Sequence, residues 1–369
     1  METYYIIHIS LFLCLIFEFC SLNVKKKVIV FWMIFFTLFG GLRWRIGGDW
    51  DQYYQHFKAS DWDNIFSYDR YGNGEETLEP GFVFLNVFVK TLFGEFYIYN
   101  LFVVGFIQFT YYKFCNYFFP KNPLLVYCLL MVIASNYFPV RAGLSLGISY
   151  WIWRFIYERN LKMFLVIVTV AFFIHNQCVI LYPCYWLGRI NLKSYWYLLI
   201  YPIIAGLVYV LQDYFILLSA STGSSIAEKA YIYTQTETEG FKGASYMGWA
   251  LNYLFLIIYL YLRNHYSYNN LWYNTLLNCV MIYNAIFMVF SDGMGDLTRL
   301  SGMLYPAQCI LFFNSLLYFI KKKRTIVSYL AVIFFVLYYI YKMPSCWSGY
   351  FFQDNSVPYK TIFDYNHLN

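Results

Sequence analysis

A succession of apolar runs, separated by short polar stretches, is what most restricts the folds open to this chain. Such runs lie near 3–22, 28–42, 96–113, 123–139, 142–157, 163–175, 177–188, 195–217, 246–262, 270–290, 299–320 and 325–341. An α-helix crosses a bilayer in about 20 mostly apolar residues, so the pattern reads as an all-α, polytopic transmembrane bundle of about twelve spans. Composition points the same way: 60% of the residues are hydrophobic and only 12% are charged. Soluble domains carry about 25% charge. The 41 Tyr and 11 Trp suit the lipid headgroup belt. The expectation is one integral membrane domain over residues 1–369. The first run, Tyr4 to Leu22, has no basic residue before it and no small-residue cleavage site after it. It reads as a retained span rather than a signal peptide.

Lysine and arginine set the orientation. Lys25-Lys26-Lys27 follow the first run, Arg154, Arg159 and Lys162 form a second group, and Lys321-Lys322-Lys323-Arg324 lie between the last two runs. The positive-inside rule assigns all three groups to the cytoplasm. Both termini then lie outside, as do three long segments: 43–95, 219–245 and the tail 343–369. The run 81–94 is amphipathic and reads as a re-entrant or interfacial helix; as a span it would invert everything after it.

Several function classes drop out. The inner connections leave little room for a nucleotide-binding domain, and no Walker motif or GxGxxG occurs. The net charge of +6 is unevenly placed and gives nucleic-acid binding no support. The nine cysteines contain no CxxC; those in apolar runs read as small buried hydrophobes, and Cys346 stands alone in a polar tail. Neither a cofactor nor a metal is expected.

The densest polar chemistry is Arg43-Trp44-Arg45-Ile46-Gly47-Gly48-Asp49-Trp50, where a hydrophobic run ends. Two cations on the outer side stand against the usual topological preference. At the same level come Arg141, after Phe138-Pro139-Val140, His175, ending a run, and Arg299, after Gly295-Asp296-Leu297-Thr298. Arginine grips phosphate bidentately, so several arginines around one cavity suit a pyrophosphate carried on a lipid. His175 is the first candidate for an acid/base and Asp49 the second; His56, in the first outer segment, stays in view. Plainer roles exist for each: Asp49 as a helix cap, Gly47-Gly48 as a turn, His175 as a structural hydrogen bonder. Asp49-Trp50-Asp51 and Asp61-Trp62-Asp63 both read DxD, a metal and nucleotide-sugar pattern, but nucleotide sugars are not supplied on the outer face. Asp292 and Asp296 beside glycines read as turn residues.

Arg43-Trp44-Arg45-Ile46-Gly47-Gly48-Asp49-Trp50-Asp51-Gln52-Tyr53 resembles the arginine–aromatic–x–x–Gly–x–Asp–aromatic–x–x–Tyr signature of the EpsG family, Wzy-type polymerases of bacterial surface polysaccharides. The similarity continues in Glu79-Pro80-Gly81-Phe82, Arg141, the run ending at His175, Arg299 and Val357-Pro358-Tyr359-Lys360. Family members often place Ser or Thr just after the histidine; here Asn176-Gln177 follow. The resemblance implies a bundle related to C-type glycosyltransferases (GT-C-like) and to O-antigen ligase. It further implies an enzyme at the outer face of the cytoplasmic membrane that joins undecaprenyl-pyrophosphate-linked oligosaccharide repeats without nucleotide or metal. On that reading Arg43, Arg45, Arg141 and Arg299 hold pyrophosphate, with the family spacing favouring Arg43 over Arg45. His175 or Asp49 is the base, and Trp44, Trp50 and Tyr53 contact sugar. Membrane lipid surrounds the protein, and a chain-length regulator and a flippase are its expected partners. A ligase-like transferase, a flippase or transporter, and a non-enzymatic assembly subunit are the competing readings.

Overall fold

The computed structural model describes residues 2–47, 49–70, 77–134, 138–221, 240–263, 270–290, 300–322, 326–345 and 356–367. Among them the chain is all-helical, with only isolated bridges and no strand. The helices are α1 (Glu2–Leu13), α2 (Leu22–Gly41), α3 (Trp50–Ala59), α4 (Pro80–Phe93), α5 (Phe96–Phe118), α6 (Pro123–Ala134) and α7 (Arg141–Tyr157). There follow α8 (Leu161–Ile174), α9 (Cys184–Leu187), α10 (Ser194–Ser221), α11 (Gly240–Arg263), α12 (Asn270–Phe290), α13 (Tyr305–Lys321) and α14 (Ile326–Ser345). Most of the apolar runs became helices with ends shifted by a few residues. The run 177–188 did not become one helix. It is a 3-10 segment (Asn176–Leu181) and the single-turn α9, divided at Tyr182-Pro183, because proline has no N–H and clashes with the preceding turn.

Among the described residues no helix is both long and apolar enough to cross a membrane. Length accounts for part of this: α1 and α6 have 12 residues each and α8 has 14. Polar content accounts for part, as α2 carries Lys25-Lys26-Lys27 near its start. Apolar side chains nonetheless face outward as well as into the core. Large apolar residues are exposed at helical spacing: Phe31, Ile34 and Leu38 on α2, Phe102, Phe106 and Phe109 on α5, and Leu330, Ile333 and Leu337 on α14. Meanwhile Asn86, Asn100, Gln108, Ser145, Ser149 and Asn284 are buried. Water opposes such a pattern, and large apolar surfaces of this kind mark a membrane or a partner.

The chain forms two compact units. The first comprises 1–154, 166–176 and 322–369. Its α2 buries Ile29, Trp32, Phe36, Gly40 and Gly41 on one face against α5. Small residues permit the approach: a Cβ added at Gly41 would stand 2.8 Å from the Leu101 Cα, and Gly105 faces Thr37. Glu18, in the 3-10 turn after α1, pins the start of α6. It accepts from Leu125 N at 3.0 Å and Asn122 Nδ2 at 2.9 Å, and pairs with Lys25 at 2.9 Å.

The second unit comprises 155–165 and 177–321. Its α12 lies against α10 and α13. Arg263 holds the connection before α10, donating to Leu192 O at 2.7 Å and to Asn274 Oδ1 at 2.8 Å. Asn278 donates to Leu187 O and Ile190 O, while its Oδ1 accepts from Tyr197.

Candidate active site

Within the first unit, three helix ends carry one polar cluster. Pro80 occupies the first turn of α4, where its missing N–H costs nothing. The residue before it, Glu79, is extended (φ −62°, ψ 131°) and lies just outside the helix. Gly81 then lets α4 touch the end of α8: an added Cβ would stand 2.7 Å from the Phe173 carbonyl oxygen and 2.9 Å from its carbon. This contact sets Glu79 beside His175, which directly follows α8.

Glu79 is the hub. Arg141 Nη1, at the start of α7, donates to Glu79 Oε2 at 2.7 Å. His175 Nδ1 is 3.1 Å from Oε1, and Asn176 N donates to the same oxygen at 3.1 Å. All three side chains are buried, each about one-tenth exposed or less. Burial opposes ionisation of Glu79, but the His175 and Arg141 interactions and the Asn176 N–H outweigh it and draw its pKa down to about 2. The carboxylate is ionised at neutral pH and acts only as an acceptor.

Two groups in the cluster keep unspent capacity. Arg141 Nε is buried with no hydrogen-bond partner among the described residues, and Nη2 makes no hydrogen bond to them either. That is the side edge of the guanidinium, the fork that grips an oxyanion bidentately. The His175 ring makes no hydrogen bond among the described residues beyond that of Nδ1, so Nε2 stays open for a proton.

Arg43 occupies a different place. It is buried, donating to Gly40 O at 2.8 Å and Pro139 O at 3.2 Å, with a longer contact of 3.4 Å to Asn100 Oδ1. Its guanidinium also lies 5.6 Å from the centre of the Phe138 ring. Burial lowers its pKa to about 10, so it stays charged at neutral pH. These bonds hold the segment that leads into Arg141. The tail completes the brace: Trp44 N donates to Lys360 O at 3.0 Å and Ile362 N to Leu42 O at 2.9 Å, while the Tyr359 hydroxyl donates to Phe39 O. The Val357-Pro358-Tyr359-Lys360 segment thus packs on the Arg43 segment.

The remaining sequence candidates scatter. Arg45 is exposed with φ +49°, and its Nε meets Asp51 Oδ1 at 3.2 Å; such an exposed pair contributes little. Asp49 is exposed at the start of α3, with no side-chain cap bond. Trp50 is buried, stacked on Tyr54 and edge-on to Trp44 and Phe96. Tyr53 lies edge-on to Phe82 and His56. His56 is 3.1 Å from the Tyr68 hydroxyl. Burial, then Arg70 and Arg141, lower its pKa to about 4. In the second DxD, Asp61 pairs with Lys90 at 2.9 Å and caps a 3-10 turn with Asn64. Among the described residues no three His, Cys, Asp or Glu side chains converge as metal ligands. Gly48, Arg299, Asp292, Asp296, Cys346 and residues 222–239 of the second outer segment lie outside the described residues.

Sequence reasoning missed Glu79 as a site residue. The signal was its place directly before Pro80-Gly81, an acid at a helix start in a chain with few charges.

In a comparison with known protein families, a model described as the EpsG family matches residues 26–361. No curated protein and no solved structure matches.

Proposed function

The chain belongs to the EpsG family, and from that premise we propose that it is a membrane glycosyltransferase that polymerises lipid-linked oligosaccharide repeats. The observation that carries the proposal is the meeting of Arg141 and His175 at adjoining helix ends, one with an open guanidinium edge and the other with an open ring nitrogen. In the reaction, an acceptor sugar hydroxyl attacks the anomeric carbon of a glycan carried on polyprenyl pyrophosphate. Its proton passes to His175 Nε2. The bond from the anomeric carbon to the pyrophosphate oxygen breaks, and the electron pair leaves with the pyrophosphate. Arg141 stabilises the charge that gathers there, through Nε and Nη2; such electrostatic stabilisation is usually the largest catalytic contribution.

Arg43 serves this site from behind, by fixing Pro139 two residues before Arg141. By the resemblance Arg299 is a further candidate for binding pyrophosphate, and Tyr53, beside Phe82, is assigned to the sugar. Asp49 lacks the oriented carboxylate partner that His175 has. Exposed apolar helix faces support a bilayer setting, and the lysine clusters support an outward-facing site. Such a polymerase works on repeats delivered by a flippase, with chain length set by a regulator.

The test is a polysaccharide ladder from cells carrying Arg141→Lys or His175→Ala at normal protein level. Loss of long chains is expected for both, since a lysine lacks the planar fork. Wild-type ladders from both variants would overturn the proposal. Elongation by purified protein supplied with lipid-linked repeats alone separates a polymerase from a ligase, which needs a different acceptor.

A further inference from the structure

One carboxylate touches both groups assigned to the chemistry. Glu79 receives Arg141 on Oε2 at 2.7 Å, and His175 Nδ1 and Asn176 N on Oε1 at 3.1 Å each. We infer that Glu79 is a positioning residue that sets two catalytic groups at once: it holds His175 as the Nδ1–H tautomer with Nε2 facing the substrate, and it turns Arg141 so that the Nε–Nη2 edge meets the pyrophosphate. The inference rests on the roles given to His175 and Arg141 above, and adds a residue that bears neither the proton nor the charge of the leaving group.

An ionised carboxylate has only lone pairs to offer, so the imidazole nitrogen facing it carries the hydrogen. In the neutral ring this leaves the lone pair on Nε2. The Asn176 N–H on the same oxygen fixes the carboxylate plane, so the ring cannot turn and keep its bond. On the other oxygen, Arg141 uses Nη1 alone, which leaves its side edge unused. A carboxylate serving only to neutralise a cation would be expected to take a two-point grip on the guanidinium. Here its second oxygen goes to His175 and Asn176 instead. The build of the helix start also fits: Pro80 and Gly81 deliver Glu79 to α8 by a contact that no larger residue at 81 permits.

The experiment compares Glu79→Gln, Glu79→Asp and His175→Asn in purified full-length protein in lipid nanodiscs, supplied with a lipid-linked repeat. Histidine ¹⁵N spectra are recorded in parallel, His175→Asn identifying the His175 signals. Glu79→Gln is expected to lower kcat by about 10²-fold, the lower end of what an oriented acid/base contributes, and to raise the donor KM by loosening Arg141. Its His175 signal changes from a protonated Nδ1 to a mixture of tautomers. Glu79→Asp, with a shorter stem, restores part of kcat. A purely structural role would reduce protein yield and leave kcat, KM and the tautomer unchanged in the protein that folds. An inactive His175→Asn beside a Glu79→Gln of wild-type kcat and tautomer overturns the inference and leaves the proposed function standing. An active His175→Asn removes the base assignment, and the tautomer signal then decides for or against Glu79.

Discussion

Gly81→Ala tests how the fold delivers the site. The added methyl would lie 2.7 Å from Phe173 O, a separation real Cβ atoms do not show, so the backbones must part by at least 0.3 Å to reach 3.0 Å. Both neighbours are main chain, and neither gives way as a flexible side chain does. Glu79 moves with α4, because its carbonyl accepts from Phe82 N at 3.0 Å and Val83 N at 3.1 Å. A shift of a few tenths of an ångström brings the 3.1 Å contact with His175 close to the limit of a hydrogen bond. Overpacking of this kind costs about 1–3 kcal/mol. Gly→Ala in a helix where the methyl fits gains about 0.4–1 kcal/mol. The net expectation is about 1–2 kcal/mol of destabilisation, a melting drop of a few degrees. Misplacement of the catalytic pair adds an activity loss on the order of tenfold. Thermal unfolding in detergent and the polysaccharide ladder measure the two parts. Gly206→Ala is the control: beyond its own stretch of helix backbone nothing lies within 4 Å of its added Cβ, so it should be neutral or slightly stabilising. If Gly81→Ala melts at or above wild type and makes chains of normal length, the close approach of α4 to α8 does not build the site.

Arg43→Gln removes charged hydrogen bonds to Gly40 O and Pro139 O, each contributing about 1.5–3 kcal/mol; purified protein should melt several degrees lower, and unchanged melting would refute its role as a brace. Glu18→Gln breaks the pair with Lys25 and weakens the hold on Asn122 and Leu125 N. Less folded protein is expected, with an unaltered chain-length distribution per molecule; a changed distribution would show that Glu18 reaches the chemistry. His56, facing the Tyr68 hydroxyl with Arg70 and Arg141 nearby, has a folded pKa of about 4 against 6.5 as the ordinary value. The unfolded chain therefore binds the proton first, and stability rises from about pH 4 to 6.5 and is complete above it. Glu79 acts in a lower window, between about 2 and its ordinary 4.5. Melting should fall between pH 6.5 and 4.5, and His56→Gln should flatten that fall; an equal fall in the variant refutes the assignment.

Much of this was legible in the residues. Runs of apolar side chains located most helices, since helix formation in such a sequence is a local matter of hydropathy and of glycine or proline punctuation. The 177–188 run misled because Pro183 breaks it, and a proline inside a short apolar run carries more weight than the run itself. Arg141 and His175 stood out because a cation or imidazole at the end of an apolar run is costly without a purpose. The family spacing favoured Arg43 over Arg45, but spacing does not say what either side chain touches. The left-handed turn at Arg45 sends that side chain outward to Asp51, while Arg43 is enclosed by Gly40, Pro139 and the tail. Trp50 was read as a sugar contact, yet its ring lies among Tyr54, Trp44 and Phe96. An aromatic residue carries no mark of whether it faces a ligand or a neighbour.

By itself the sequence determined an all-helical chain with apolar faces and a sparse set of polar residues at helix ends. Tertiary structure decided which of those residues meet. Glu79 reaches Arg141 across 62 positions and His175 across 96. Hydropathy and helix propensity act over a few residues and carry no information across such distances. The pairing depends on how closely two backbones approach at Gly81 and Phe173, and on a buried carboxylate that must find its donors there because burial leaves it no other way to stay ionised.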